Sequence, residues 1–150
     1  MANTYTSLNV HITFSTKDRT PIINPDWQEK LWAYLGGIAR KYKMKTLEIG
    51  GVADHLHMPV SLPPNLAPAK AVQLLKGNSS KWINENFAGP YRFHWQEGYG
   101  VFSVSVSQIE STKKYIRNQN EHHRKKSFQE EYITLLKKHG VEYDERYLWD

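Results

Sequence analysis

The sequence predicts an α+β fold, in which helices flank an antiparallel sheet of ferredoxin-like or RRM-like topology as a two-layer sandwich. Short segments alternate apolar and polar residues with the period of a half-buried strand, and longer segments repeat apolar residues at helical spacing. Along the chain these segments run strand, helix, strand, strand, helix, strand pair, helix, helix. The length of 150 residues, without a repeat or a linker, predicts one domain over residues 1–150.

Local patterns predict the first strand and the first helix. Residues 8–14 place apolar side chains on one face and polar side chains on the other. Asn24 offers an N-cap and Pro25 a first helical residue, and apolar residues then recur at helical steps to about Lys43. We therefore expect an amphipathic helix after the first strand.

Two neighbouring strands and a second helix are expected next. Residues 45–53 and 55–62 are rich in strand formers, and Gly50 and Gly51 mark a bulge or a tight bend. From about Ala67 the apolar residues return to helical spacing.

The last third of the chain predicts a hairpin followed by two helices. Residues 92–106 indicate two strands joined by a turn. Residues 107–110 and 127–130 each begin with serine and end with glutamate, which is the spacing of a capping box. The first box predicts a helix that runs toward His122, and the second predicts a helix that ends near Gly140.

Composition limits the possible functions. The 39% of hydrophobic residues is typical of a globular protein, and the lack of cysteine excludes disulfides, thiolate metal sites and a cysteine nucleophile. No segment resembles a signal peptide, and none is apolar over the roughly 18 residues that a membrane span needs, so we predict a cytoplasmic protein without a membrane partner. The net charge of +5 favours a polyanionic partner, nucleic acid first.

His55 and His57 stand on either side of one apolar residue in a predicted strand. Because successive side chains of a strand point to opposite faces, the two imidazoles project from the same face. Such a pair either holds a divalent metal or lines a solvated sheet face, and the spacing alone leaves both interpretations open. We assign no role to the single histidines His11 and His94.

Tyr115 and Gln119 are four residues apart in a predicted helix and therefore share one face. Taken alone, this spacing favours packing of the tyrosine beside a solvated basic surface. A tyrosine becomes a usable nucleophile only where cations stabilise the phenolate or a base removes the proton.

Three segments, in this order, resemble the small single-tyrosine transposases of the HUH endonuclease superfamily, the TnpA type of bacterial insertion sequences and its REP-associated tyrosine transposases. The segments are DHLHMPVSLP, FHWQEGYGVFSVSVS and KKYIRNQNEHH. The resemblance covers nearly the whole chain. A His-hydrophobic-His pair, a later helix tyrosine and a glutamine four residues beyond it form a specific combination.

The resemblance implies that His55, His57 and Gln119 bind one divalent ion, Mg²⁺ or Mn²⁺. It also implies that Tyr115 attacks a phosphodiester of single-stranded DNA near a hairpin, giving a 5′-phosphotyrosine link and a free 3′-OH. Because that link conserves the bond energy, no nucleotide cofactor is required. We therefore expect one HUH transposase domain that cleaves and rejoins DNA.

Two other functions stay open. The first is a catalytically decayed DNA- or RNA-binding module on the same fold, which is supported only by Pro59, since proline removes a backbone donor from an interior strand. The second is a metal-dependent phosphohydrolase that uses water, which would leave Tyr115 without a role. Asp54 is expected to be a turn or supporting residue, because alternation turns it away from the face of the His pair.

Basic residues near these motifs are candidate phosphate contacts. They are Lys17, Arg19, Lys76, Lys81, Arg92, Lys113, Lys114 and Arg117. We expect Trp95, Tyr99 and Phe102 to pack in the core rather than to stack on bases. His122 and His123 are expected at a solvated helix end.

The predicted strand in VFSVSVS contains no proline or lysine that would protect a sheet edge. In the family that the sequence resembles, this strand pairs with its twin across a two-fold axis, and the tyrosine helix crosses to the partner. We therefore predict a homodimer with two shared active sites, each taking His55 and His57 from one chain and Tyr115 from the other.

Overall fold

The computed structural model describes residues 3–87, 89–90, 92–119 and 126–150. The strands in these residues are β1 (Asn9–Ser15), β2 (Lys45–Thr46), β3 (Gly50–Val52), β4 (His55–Ser61) and β5 (Gly100–Ser103). The longer helices are α1 (Pro25–Lys41), α2 (Pro68–Asn86), α3 (Ile109–Arg117) and α4 (Phe128–Lys138). None of the helices in these ranges is long and apolar enough to cross a membrane.

The strands form one antiparallel sheet with β1 and β4 at its centre. The strand order is β2-β4-β1-β5, and β3 also pairs with β4. If β2 and β3 are counted as one interrupted strand, the order is that of a ferredoxin-like sheet. The predicted α+β fold with an antiparallel sheet flanked by helices is confirmed.

Helices cover both faces of the sheet. On one face, Phe14 of β1 and Leu56 of β4 pack in a core with Leu35 of α1 and Leu75 of α2. On the other face, α3 contacts β3 and β4, and a smaller core joins Phe102 of β5 to α4. This second helical layer adds to the two layers that we predicted, and it covers the face that carries the His pair.

The local signals for helix starts succeed at two of the three positions where a cap was predicted. Asn24 is the N-cap of α1, and its side chain accepts a hydrogen bond from the Asp26 N–H at 2.8 Å. Ser127 and Glu130 form the predicted capping box at the start of α4.

The capping box predicted at Ser107 is wrong. Ser107 lies inside a short 3-10 helix, Val106–Gln108, and α3 begins only at Ile109 without a side-chain cap. The Ser107 hydroxyl instead lies 3.2 Å from the Ser105 hydroxyl. The predicted continuation toward His122 is also wrong, because α3 ends at Arg117 with Asn118 as its C-cap. The expected exposure of His122 and His123 lies outside the described residues.

The predicted hairpin is also wrong, because the described residues between α2 and β5 form a single bridge, between Thr16 and Trp95. Beyond the backbone bonds of that bridge, side chains satisfy the backbone of this segment in place of a strand. The Asn84 carboxamide bonds both the N–H and the carbonyl of Phe93, and Lys76 Nζ donates to the carbonyls of residues 96, 97 and 98. The tertiary contacts of α2 therefore decide the path of this segment.

Pro59 does not interrupt β4. Its carbonyl accepts a hydrogen bond from the Leu47 N–H at 2.9 Å. The nitrogen and the carbonyl of one strand residue point to the same neighbour, so the missing donor faces the gap between β2 and β3. The strand thus has proline at a position where the neighbouring strand is itself interrupted.

Candidate active site

The central strand β4 places His55 and His57 on one face of the sheet, as predicted. Their ring centroids are 5.1 Å apart, and both side chains are fully buried. Leu56 and Met58 point to the opposite face and pack in the main core. The strand thereby holds the two imidazoles from a rigid support.

Gln119 and Glu131 reach the His pair from the helical layer above it. Gln119 Oε1 lies 3.2 Å from His55 Nε2. Glu131 Oε1 lies 3.4 Å from His55 Nε2 and 3.5 Å from His57 Nε2. The predicted glutamine is therefore next to the pair, and Glu131 of α4 is a fourth member that the sequence analysis missed.

Each histidine has a separate partner at its other ring nitrogen. His55 Nδ1 lies 2.7 Å from Asp54 Oδ1, and His57 Nδ1 lies 2.8 Å from His11 Nε2. These contacts orient both rings so that the Nε2 atoms face Glu131. Among the described residues, His57 Nε2 is buried without a hydrogen-bond partner. His11, to which we assigned no role, is thus part of the site.

Burial and charge act in opposite directions on the ionisable groups of the site. Burial alone would raise the pKa of Glu131, but its close contacts with His55 and His57 outweigh burial and lower the pKa to about 2. Burial lowers the pKa of His57, whereas Asp54 and Glu131 overcome burial and raise the pKa of His55. Glu131 is therefore an ionised carboxylate in the interior.

The four side chains fit a divalent metal. One ligand atom each from His55, His57 and Glu131 lies within 4.8 Å of the others. Donor atoms that share an ion at about 2.1 Å stand roughly 3.0 Å apart on an octahedron and roughly 3.4 Å apart on a tetrahedron. The separations of 3.2–3.5 Å between Nε2 and oxygen atoms match this spacing. Two imidazoles, an amide oxygen and a carboxylate suit a hard or borderline divalent cation.

Tyr115 of α3 lies beside the side chains of its own chain that could hold a metal ion. Its ring packs edge-on against His57, with ring centroids 6.0 Å apart. Tyr115, Glu131 and His11 line one cleft of about 370 Å³, together with Lys126 and Lys138. We call this cavity the α3–α4 cleft. It brings a tyrosine, a carboxylate and two cations to the same opening.

A glycine allows α3 to approach the sheet this closely. Gly50 pairs with His57 in the register of β3 and β4. A Cβ atom at Gly50 would lie 2.6 Å from Ile116 Cγ2 and 2.7 Å from the Ile116 carbonyl oxygen. Since Ile116 follows Tyr115, the missing side chain determines how near the tyrosine comes to the His pair.

A family model described as "Transposase IS200 like" matches residues 4–119, well over half of the chain. The chain belongs to the IS200-like transposase family. Two curated relatives, the transposases for insertion sequence element IS200 of Salmonella typhimurium and Salmonella typhi, are each 28% identical over 127 residues. Each alignment covers 81% of this chain and 82% of the relative. The molecule is accordingly a transposase, an enzyme class that cleaves DNA and transfers strands.

Solved structures show the same fold. A Deinococcus radiodurans protein assigned as a transposase superposes with a TM-score of 0.64 at 22% identity, over 79% of this chain and 95% of its own. A REP-associated tyrosine transposase bound to a REP hairpin gives 0.61 at 13% identity, over 82% and 73%.

Four of the cations that we predicted to contact DNA have partners within this IS200-like transposase, and the ion pairs of Lys81, Lys113 and Arg117 are weak surface pairs that leave contact with DNA a prediction. Lys76 Nζ donates to three carbonyls at 2.6–3.2 Å, and burial lowers its pKa to about 8. At neutral pH it is still mainly protonated, so its donors serve the loop and not a phosphate. Arg117 pairs with Glu48, Lys113 with Glu110 and Lys81 with Glu85.

Other predicted cations are not among the residues that line the α3–α4 cleft. Arg19 stacks over the Trp149 ring at 5.2 Å, and Lys17 lines a separate pocket with the same tryptophan. Arg92 and Lys114 are exposed. Their contact with DNA stays a prediction.

Of the three aromatic residues that we expected in the core, two are buried there. Trp95 and Phe102 are buried in the two cores, whereas Tyr99 is 38% exposed. Lys126 and Lys138, which line the α3–α4 cleft, were not among the predicted cations. Lys126 lies three residues after the segment KKYIRNQNEHH, so its position in the sequence was a signal that could have found it.

Proposed function

We propose that this IS200-like transposase cleaves and rejoins single-stranded DNA through Tyr115, beside a divalent ion held by His55, His57, Gln119 and Glu131. One observation carries the proposal. The Tyr115 ring lies against His57 and lines the same cleft as Glu131. A phenol, a metal-binding group and two lysines in one cleft are the parts that phosphoryl transfer to tyrosine requires.

The reaction is a transesterification at phosphorus. Tyr115 Oη forms a bond to the scissile phosphorus, the bond from phosphorus to the 3′ oxygen breaks, and the phenolic proton is transferred to that oxygen. A bound Mg²⁺ or Mn²⁺ would act as a Lewis acid on the scissile phosphate. Attack by the 3′-OH of another DNA end reverses the same steps and releases Tyr115, so neither direction needs a nucleotide cofactor.

We infer that the substrate strand enters through the α3–α4 cleft. Lys126 Nζ uses one donor on the Thr134 hydroxyl at 3.0 Å, and Lys138 lines the same cleft together with His11. Lysines at a cleft of this kind neutralise phosphates and release counterions. Hairpin DNA is the form we propose as substrate, because a REP-associated transposase of the same fold has been solved with a REP hairpin.

The homodimer stays part of the proposal. In the sheet order β5 has one described neighbour, β1, and it is shorter than the seven-residue strand we predicted. Tyr115 already lies beside His57 of its own chain. Sites shared between two chains are therefore not needed to assemble the residues. Mixing a His57→Ala protein with a Tyr115→Phe protein tests sharing, since only shared sites restore cleavage after subunit exchange.

The central test uses a hairpin oligonucleotide taken from the DNA that flanks the gene, labelled at its 3′ end. With Mg²⁺ or Mn²⁺ we expect the label to migrate with the protein on a denaturing gel, because the phosphotyrosine link forms on the 3′ fragment. Tyr115→Phe should abolish this adduct and keep DNA binding. Tyr34→Phe, on the opposite side of the sheet, should form adduct like the unmodified protein.

The same gel separates the other functions. Labelled fragments without an adduct would identify a hydrolase that uses water, and binding without cleavage would identify a decayed DNA-binding module. Either result would contradict the proposed function.

A further inference from the structure

His11 is a buried histidine whose ring contacts one metal-binding residue and lies next to the cleft. It is 5% exposed and sits in the middle of β1. In the strand register His11 is opposite Pro59, so His57 is its diagonal neighbour on the same face. The two rings meet with His11 Nε2 2.8 Å from His57 Nδ1.

The short separation requires one hydrogen between the two nitrogens. In a neutral imidazole one nitrogen donates and the other accepts. His57 can offer a lone pair at Nε2 only if its hydrogen is at Nδ1. In that state His11 is the acceptor.

We propose that His11 is a positioning residue of the metal site: its Nε2 accepts the hydrogen bond from His57 Nδ1 and so leaves the Nε2 lone pair of His57 directed at the ion. The inference rests on the proposed metal site. Asp54 makes the equivalent contact with His55 at 2.7 Å. Each metal-binding histidine therefore has its own acceptor, a carboxylate for one ring and an imidazole for the other, and such acceptors fix tautomer and orientation.

The first test reads the tautomer directly in the unmodified protein. Nitrogen NMR of the Mg²⁺-loaded protein, with ¹⁵N-labelled histidine, should show the hydrogen of His57 on Nδ1 and that of His11 on Nδ1. A hydrogen on His11 Nε2 would overturn the proposal, because His11 would then be the donor. This measurement does not depend on whether any variant folds.

The second test measures Mn²⁺ affinity by electron paramagnetic resonance. His11→Phe keeps a ring but removes the acceptor, and it should weaken binding roughly 10- to 100-fold. His11→Gln places an amide oxygen near the former Nε2 and should restore most of the affinity. The matched control is His94→Phe, which removes an exposed imidazole and should bind like the unmodified protein.

The outcomes separate this inference from the proposed function. If the unmodified protein binds Mn²⁺ and His11→Phe binds equally well, His11 does not position the site. If His11→Gln loses as much affinity as His11→Phe, the acceptor account is refuted. If the unmodified protein binds no divalent ion, the proposed metal site itself is wrong, and the inference falls with it.

Discussion

Replacing Gly50 with alanine should disturb the active site through one methyl group. The new Cβ would lie 2.7 Å from the Ile116 carbonyl oxygen, about 0.7 Å short of the 3.4 Å at which ordinary van der Waals contact begins. The new Cβ would also lie 2.6 Å from Cγ2 of Ile116, which is β-branched. Neither atom is the end of a flexible side chain, so α3 itself has to move.

The size of the effect follows from that displacement. Overpacking of a well-packed contact costs about 1–3 kcal/mol of stability. A catalytic group misplaced by about 1 Å loses on the order of 100-fold in rate. Because α3 carries Tyr115, a shift of several tenths of an ångström should slow adduct formation about 10- to 100-fold. The affinity for DNA should change little, since no cation is removed.

The assay is single-turnover adduct formation with saturating hairpin DNA, at a temperature well below the melting temperature of each variant. Gly77→Ala is the matched control. It lies in α2, a Cβ there would meet no atom within 4 Å, and alanine should stabilise the helix by about 1 kcal/mol. If Gly50→Ala forms adduct as fast as the unmodified protein, the close approach of α3 does not set the position of Tyr115.

Three further changes test other parts of the site. Glu131→Gln keeps an oxygen donor but removes the charge, so Mn²⁺ affinity measured by calorimetry should fall about 10- to 100-fold; unchanged affinity would exclude Glu131 as a ligand. Lys126→Gln and Lys138→Gln should each reduce the slope of log affinity for single-stranded DNA against log salt concentration by about 0.7. Lys30→Gln is the control, and if its slope changes as much as theirs, the DNA does not bind at the α3–α4 cleft. Lys76→Met should lower the free energy of unfolding by about 2 kcal/mol in urea titration without changing the salt slope, and a changed slope would restore Lys76 as a phosphate contact.

The sequence alone was sufficient at several positions where the signal is local. Alternation over β4 put His55 and His57 on one face, because a strand reverses its side chains at every residue. The spacing of Tyr115 and Gln119 assumed one continuous helix, whereas α3 ends at Arg117 and Gln119 contacts His55 from beyond the helix end. The cap at Asn24 and the capping box at Ser127 satisfy backbone donors within three residues of themselves, so they could be recognised without the fold.

Local signals failed where distant residues compete for the same groups. The segment before β5 has the composition of a strand, but Asn84 and Lys76 of α2 take its hydrogen-bonding groups. Ser107 has the spacing of a cap, but a 3-10 turn occupies that position. This second failure is local, because the Gln108 N–H bonds the Ser105 carbonyl within the turn.

Only the tertiary structure completed the candidate site. His11 and Glu131 come from β1 and α4, on either side of the His pair in sequence, and neither has a motif of its own. The sheet register places His11 diagonal to His57, which brings the two rings together. The position of α4 places the Glu131 carboxylate next to the two imidazoles of the His pair. A buried charge requires partners, and which partners it finds depends on how the layers pack, a property that no short stretch of sequence contains.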